Sequence, residues 1–226
     1  MIISIHQPNY IPWIGFFNKI LSSDVYVVFD DVQFPRGKDY ANRNQIKTNN
    51  GKKWLTVPVI GKSQLRPWNE IEINNNGWAN QHLLLLESFY KKSEYFTEYY
   101  PELKNIYLKG HSKLIDLNLD IIKYILKKLD SETRIVMSSD IKTNKQGMDK
   151  IFHILKELNA TTYISGNGEG SKRYIDEKSF EENDIELIWQ NYTQIKYKQQ
   201  HGEFISYMTI LDLLFNHGPK SKKYII

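Results

Sequence analysis

Apolar and polar positions alternate between two periods along the chain. Residues 1–6, MIISIH, form an apolar run too short for a helix and read as a buried strand. In PWIGFFNKILSS, Ile14, Phe17 and Leu21 fall at helical spacing behind a proline suited to a first turn. DVYVVFDD is β-branched and apolar and ends in two aspartates. Strand, helix and strand within about thirty residues make a βαβ unit, so the two strands are expected to run parallel.

The stretch VQFPRGKDYANRNQIKTNNGKKWLTVPVIG is polar and turn-rich. It reads as a long loop followed by two extended segments around the turn signal NNGK. WNEIEINNNGW adds another extended piece and a turn. WANQHLLLLESFYKKS, EYFTEYYPELKNIYL and HSKLIDLNLDIIKYILKKLD then carry apolar residues three and four apart and predict three helices. RIVMSSD reads as a strand, GMDKIFHILKELNA as a helix, TTYISG as a strand ending at Gly166, and IELIWQ as a strand. FISYMTILDLLFNHG predicts a closing helix, capped by Gly218 and stopped by Pro219. The fold expected is α/β: a Rossmann-like parallel sheet with a helical middle region or lobe, in one domain spanning 1–226 with a helical insertion at about 77–130.

The composition narrows the function classes. No cysteine is present among the 226 residues, which excludes disulfides, cysteine–zinc sites and a thiol nucleophile. Any acyl group handled here must arrive already activated. The formal net charge of +4 is mild, and no nucleic-acid motif appears, so nucleic acid is not an expected partner. No apolar run reaches bilayer-spanning length, and His6, Gln7 and Asn9 interrupt what would be a signal sequence; a cytoplasmic protein without a transmembrane segment is expected.

In open parallel sheets, ligands sit at the carboxyl ends of strands. His6–Gln7, Asp30–Asp31, Ser138–Ser139–Asp140 and Ser165–Gly166 all fall at such ends. His6 is a general-base candidate that either aspartate could orient; the competing reading is a structural histidine tying down the turn. Strand alternation sets Asp30 and Asp31 facing opposite ways. The six histidines show no ligand spacing, so no metal site is expected. Gln7, Asn9 and Tyr10 follow His6 into the first helix. YANRNQIK supplies Asn42, Arg43 and Asn44, with Arg36 and Lys38 nearby; a guanidinium forks a phosphate or carboxylate. The glycine-rich SGNGEGSKRY matches neither the dinucleotide nor the P-loop fingerprint, although backbone amides in such a loop can hold phosphate. Tyr197 and Gln199 precede the last helix and are further binding candidates, a structural surface loop being the alternative.

IHQPNYIPWIGFFNKILSSDVYVVFDDVQFPRGKDYANRNQIK, WLTVPV, YISG and FISYMTILDLLFNHG, in that order over almost the whole chain, resemble the WbqC-like family. HQPNYIPWIGFF and FDDVQF with NRN are the specific segments. The resemblance implies a bacterial protein of surface-polysaccharide gene clusters such as those for O-antigen. It also implies an amide-forming transferase that places an acyl or aminoacyl group on the amine of a nucleotide-linked amino sugar. On that reading His6 is the base, Asp30 or Asp31 orients it, and Arg43 with the glycine-rich loop holds a phosphate. No cofactor is bound by the protein alone; a carrier-linked, CoA-linked or adenylate donor is implied, and an acyl carrier protein is an expected partner. The alternative is a non-catalytic module that binds a nucleotide sugar or a pathway partner through the same groups.

Overall fold

The structure, a computed structural model, describes residues 1–37, 39–61 and 65–226. In chain order its elements are β1 (Ile2–His6), α1 (Ile14–Leu21), β2 (Val25–Val28), β3 (Arg43–Thr48), β4 (Gly51–Thr56), β5 (Val59–Ile60) and β6 (Glu72–Ile73). They continue with α2 (Trp78–Tyr90), α3 (Phe96–Leu108), α4 (Leu114–Lys128), β7 (Arg134–Met137), α5 (Gly147–Glu157), β8 (Thr162–Ser165), α6 (Glu169–Tyr174), α7 (Glu177–Glu181), β9 (Glu186–Trp189) and α8 (Ile210–His217). The chain divides into two compact units. The first holds Met1–Gln7, Asn18–Asp31 and Glu132–Thr193; the second holds Pro8–Phe17, Val32–Ser131 and Gln194–Ile226.

The first unit is the Rossmann-like part. Its five strands are ordered β7-β2-β1-β8-β9, and every neighbouring pair is parallel. β1 is therefore central, with the next two strands of the sheet on one side and the last two on the other. The period-two pattern of β1 explains its packing. Ile3 and Ile5 point into a core with Ile154 and Leu155 of α5 and Phe180 of α7. Ser4 takes the opposite face, where its hydroxyl lies 2.9 Å from that of Ser23, just past α1. Phe180 stacks on Tyr163 of β8 with ring centroids 5.5 Å apart and planes 5° off parallel.

The second unit contains α2, α3 and α4, which cover the helical region expected at 77–130, together with the β3–β4 ribbon, β5–β6 and α8. NNGK makes the ribbon turn, with Gly51 at φ +93°, a conformation that favours glycine. The IPWIG segment is folded tightly: a Cβ on Gly15 would lie 2.1 Å from the Trp13 ring, so the indole lies directly against the backbone there.

Three elements differ from expectation. The last helix begins at Ile210 rather than Phe204, because Tyr207 takes a left-handed φ of 62° and the Thr209 hydroxyl caps Leu211 N–H. Pro219 does not end helical structure; a 3-10 helix runs on over Gly218–Tyr224. Proline at its start loses no needed donor. The glycine-rich segment after β8 holds the short helix α6 and is not an open loop. Among the described residues no helix is long and apolar enough to cross a membrane.

Candidate functional site

In the first unit the strand order reverses at β1 and β8, the place where doubly wound sheets bind ligands. β1 and β8 pair with Ser4 opposite Ile164, and the same offset carried forward sets His6 beside Gly166. On the other side His6 is opposite Val28. His6, Gln7, Ser165 and Gly166 thus gather at one point of the sheet's carboxyl edge. Gln190, just past β9, donates its N–H to Ser165 O at 2.8 Å and its side-chain amide to Asn18 Oδ1 at 2.7 Å.

His6 is held firmly. Its Nδ1 donates to Gln7 O at 2.8 Å, which makes Nε2 the basic nitrogen, and its carbonyl accepts from the Tyr26 hydroxyl at 3.2 Å. Burial first, and then the charge of Lys19, lower the imidazole pKa to about 3; the Gln7 bond opposes this. At neutral pH His6 is uncharged and a weak proton acceptor. Lys19 is the residue that sequence reasoning missed. It is 3% exposed, and its ammonium donates to Ile5 O at 3.3 Å. Helix side chains lean toward the helix N-terminus, which aims this one toward the carboxyl end of β1. Burial lowers its pKa to about 7. The signal was present in the sequence: Lys19 falls three after Phe16 and directly before Ile20, on the helix's apolar stripe.

Asp30 and Asp31 do not face opposite ways. β2 ends at Val28 and the chain turns, with Asp30 N–H donating to Val28 O, so strand alternation no longer applies. Both carboxylates reach the Ser138 hydroxyl, Asp30 Oδ1 at 2.9 Å and Asp31 Oδ1 at 2.5 Å. The hydroxyl has one proton, and Asp30 Oδ1 also accepts from Ser139 N–H at 2.9 Å. Asp31 makes an ion pair with Lys150 at 2.5 Å. Desolvation works against ionisation of Asp31, but the Lys150 and Ser138 bonds outweigh it and hold the carboxyl below its ordinary range. This cluster ties the ends of β2 and β7 together.

The remaining candidates lie in the second unit. Tyr10 is fully buried; its hydroxyl is 2.8 Å from His82 Nδ1 and bonds the Tyr107 hydroxyl. Asn42 and Asn44 are buried and brace backbone: Asn42 donates to Val57 O at 2.7 Å, and Asn44 to Ile11 O at 2.7 Å. Arg43, between them, faces outward. Its guanidinium lies 4.3 Å over the Trp54 ring and its Nε donates to Asp39 O at 3.1 Å. Asn9 is half-buried. Lys38 lies outside the described residues. Tyr197 and Gln199 turn inward and donate to Asp212 Oδ2, each at 2.8 Å. In the glycine-rich segment, Gly166, Gly168 and Gly170 do not take the positive φ that would curl their amides into an anion cradle. A pocket of about 490 Å³ lies beside it, lined by Asn167, Lys172, Ile175, Glu177 and Trp189. Among the described residues no group of three or more histidine or acidic side chains is placed to hold a metal ion.

A five-stranded parallel sheet with polar groups at its reversal point defines an α/β protein of Rossmann-like type. The model of the WbqC-like protein family matches residues 7–224, and the chain belongs to that family. It is 35% identical over 226 residues to the uncharacterized protein Rv1507c of Mycobacterium tuberculosis, covering 99% of this chain and 96% of the relative. No solved structure matches.

Proposed function

We propose that the protein acts in bacterial surface-polysaccharide biosynthesis, forming an amide between an activated acyl or aminoacyl group and the amine of a nucleotide-linked amino sugar. The observation that carries this reading is the convergence of His6, Gln7, Ser165 and Lys19 at the reversal point of the parallel sheet. The amine nitrogen attacks the acyl carbonyl. A C–N bond forms, the bond from that carbon to its thiolate or phosphate leaving group breaks, and the amine gives up a proton. His6 is too weak a base to keep that proton, so its role is to accept a hydrogen bond from the amine through Nε2. Lys19, with a pKa near neutrality, is the group able to take it. The donor is CoA-linked, carrier-linked or an adenylate, because the chain has no thiol of its own. No resident metal or cofactor enters this scheme.

The test is a transfer assay, followed by mass spectrometry, with UDP- and dTDP-linked amino sugars against acyl-CoA, acyl-carrier and acyl-adenylate donors. The expected product carries the acyl mass, and the His6→Ala and Lys19→Met variants lose it while staying folded. Absence of product from every pairing with folded wild-type protein would overturn the reading.

A further inference from the structure

The outer face of the β3–β4 ribbon has features that the fold does not use. Trp54 is 40% exposed and neighbouring Tyr40 44%, with ring centroids 5.8 Å apart and planes 40° from parallel. A tryptophan serving only the core would be turned inward, and this one sits on a strand whose next residue, Leu55, is fully buried. The Arg43 guanidinium covers part of the indole, and Arg43 in turn is bonded to the Asp39 carbonyl. Asp39 Oδ1 accepts from Ala41 N–H at 2.7 Å, but Asp39 Oδ2 is buried with no hydrogen-bond partner among the described residues. An orphaned carboxylate oxygen carries a desolvation cost until a donor arrives. From Arg43 to Thr56 the ribbon contains no acidic residue, and with Lys47 buried on the carbonyls of Gly202 and Glu203 its remaining basic groups are Arg43 and the exposed Lys52 and Lys53.

These features ask for one kind of ligand. The aromatic pair takes an apolar ring face, Asp39 takes a hydroxyl donor, and the basic ribbon takes an anion. The tilt of the rings makes a shallow V, which suits a puckered, C–H-bearing ring better than a flat base needing parallel stacking. We propose that Asp39, Tyr40, Arg43 and Trp54 form a binding subsite for a glycosyl phosphate, with the sugar ring on Trp54 and Tyr40, a hydroxyl donating to Asp39 and the phosphate facing Arg43. The proposal rests on the preceding reading in the class of its ligand. It is indifferent to whether the phosphate is linked to a nucleoside or to a lipid.

Calorimetry on the full chain tests it, with N-acetylglucosamine 1-phosphate, glucosamine 1-phosphate, UDP-N-acetylglucosamine, free N-acetylglucosamine and UMP as probes. The sugar phosphates bind, free sugar binds more weakly, and UMP does not compete. Trp54→Ala weakens sugar-phosphate binding roughly tenfold, and Trp54→Phe retains most of it, as expected for loss and retention of an aromatic contact. Asp39→Asn weakens every sugar probe, whereas Arg43→Lys weakens the phosphorylated ones alone. Circular dichroism confirms that each variant is folded. Failure of all sugar phosphates to bind, equal binding by UMP, or unchanged affinity in Trp54→Ala overturns the subsite. If wild-type protein performs the transfer and Trp54→Ala does so equally, the subsite falls and the transfer reading stands. If sugar phosphates bind through Trp54 but no transfer occurs, the reverse holds.

Discussion

Lys19 is charged at a cost. In the unfolded chain its amine has the ordinary lysine pKa near 10.5, whereas burial brings it to about 7 in the fold. Between those values the unfolded chain binds more protons, so this residue makes stability rise with pH across the window. Below pH 7 the penalty is present in full, and above 10.5 it vanishes. Replacing Lys19 by Met should therefore stabilise the protein at pH 6, by up to roughly 5 kcal/mol since each pKa unit is worth about 1.4 kcal/mol. The gain should shrink as the pH approaches 10. Urea denaturation of both proteins at pH 6, 7.5 and 9 measures this, and a variant less stable than wild type at pH 6 would show that the ammonium is well compensated. A group that weakens the fold yet improves the proposed chemistry fits the trade-off expected of functional positions.

At the scale of elements, Asp212 in the first turn of α8 joins four parts of the second unit. It is fully buried and accepts from Tyr90 of α2 at 3.0 Å and from Tyr197 and Gln199 of the preceding segment. Lys47 of β3 is close enough to lower its pKa, and that ammonium itself bonds the carbonyls of Gly202 and Glu203. Burial nonetheless raises the Asp212 pKa overall. Stability from this residue thus falls as pH rises from the ordinary carboxylate value through the raised one, opposite in sign to Asp31. Asp212→Asn keeps the shape but turns an amide donor toward groups that are themselves donors. The expected loss is about 3–5 kcal/mol, as when one member of a buried charged network is removed. Thermal unfolding near pH 7 should show it as a clear drop in Tm. An unchanged Tm would mean that the tyrosine hydroxyls find other acceptors.

For the whole molecule, both units are assembled from three separated stretches. Residues 1–131 hold β1 and β2 of the five-stranded sheet, while residues 132–226 hold β7, β8 and β9. In the sheet β7 pairs with β2, and β8 with β1, so the second fragment contains β7 without its one partner and β8 without the central strand. Fragments 1–131 and 132–226 should each lack a cooperative thermal transition by circular dichroism. A sharp melt from either alone would contradict this reading of the core.

The sequence by itself determined the elements wherever one period dominated. MIISIH, DVYVVF, TTYIS and IELIW read as strands, and the three middle helices carried an apolar stripe long enough to exclude strands. Parallel pairing followed from the βαβ spacing, and the HQPNY and NRN segments were enough to indicate the family. Long-range choices were left to tertiary structure. Alternation along a strand predicted diverging aspartates, but the chain turns after Val28 and Ser138, more than a hundred residues away, draws both carboxylates together. Tyr197 and Gln199 were open to a binding role until Asp212 was seen to take their donors. Lys19 falls on the apolar stripe of the first helix, but pattern gives a side chain's face and not the solvent its charge will lose. Burial and partnership are properties of the packed chain, so the charge state of the site's groups became legible only in three dimensions.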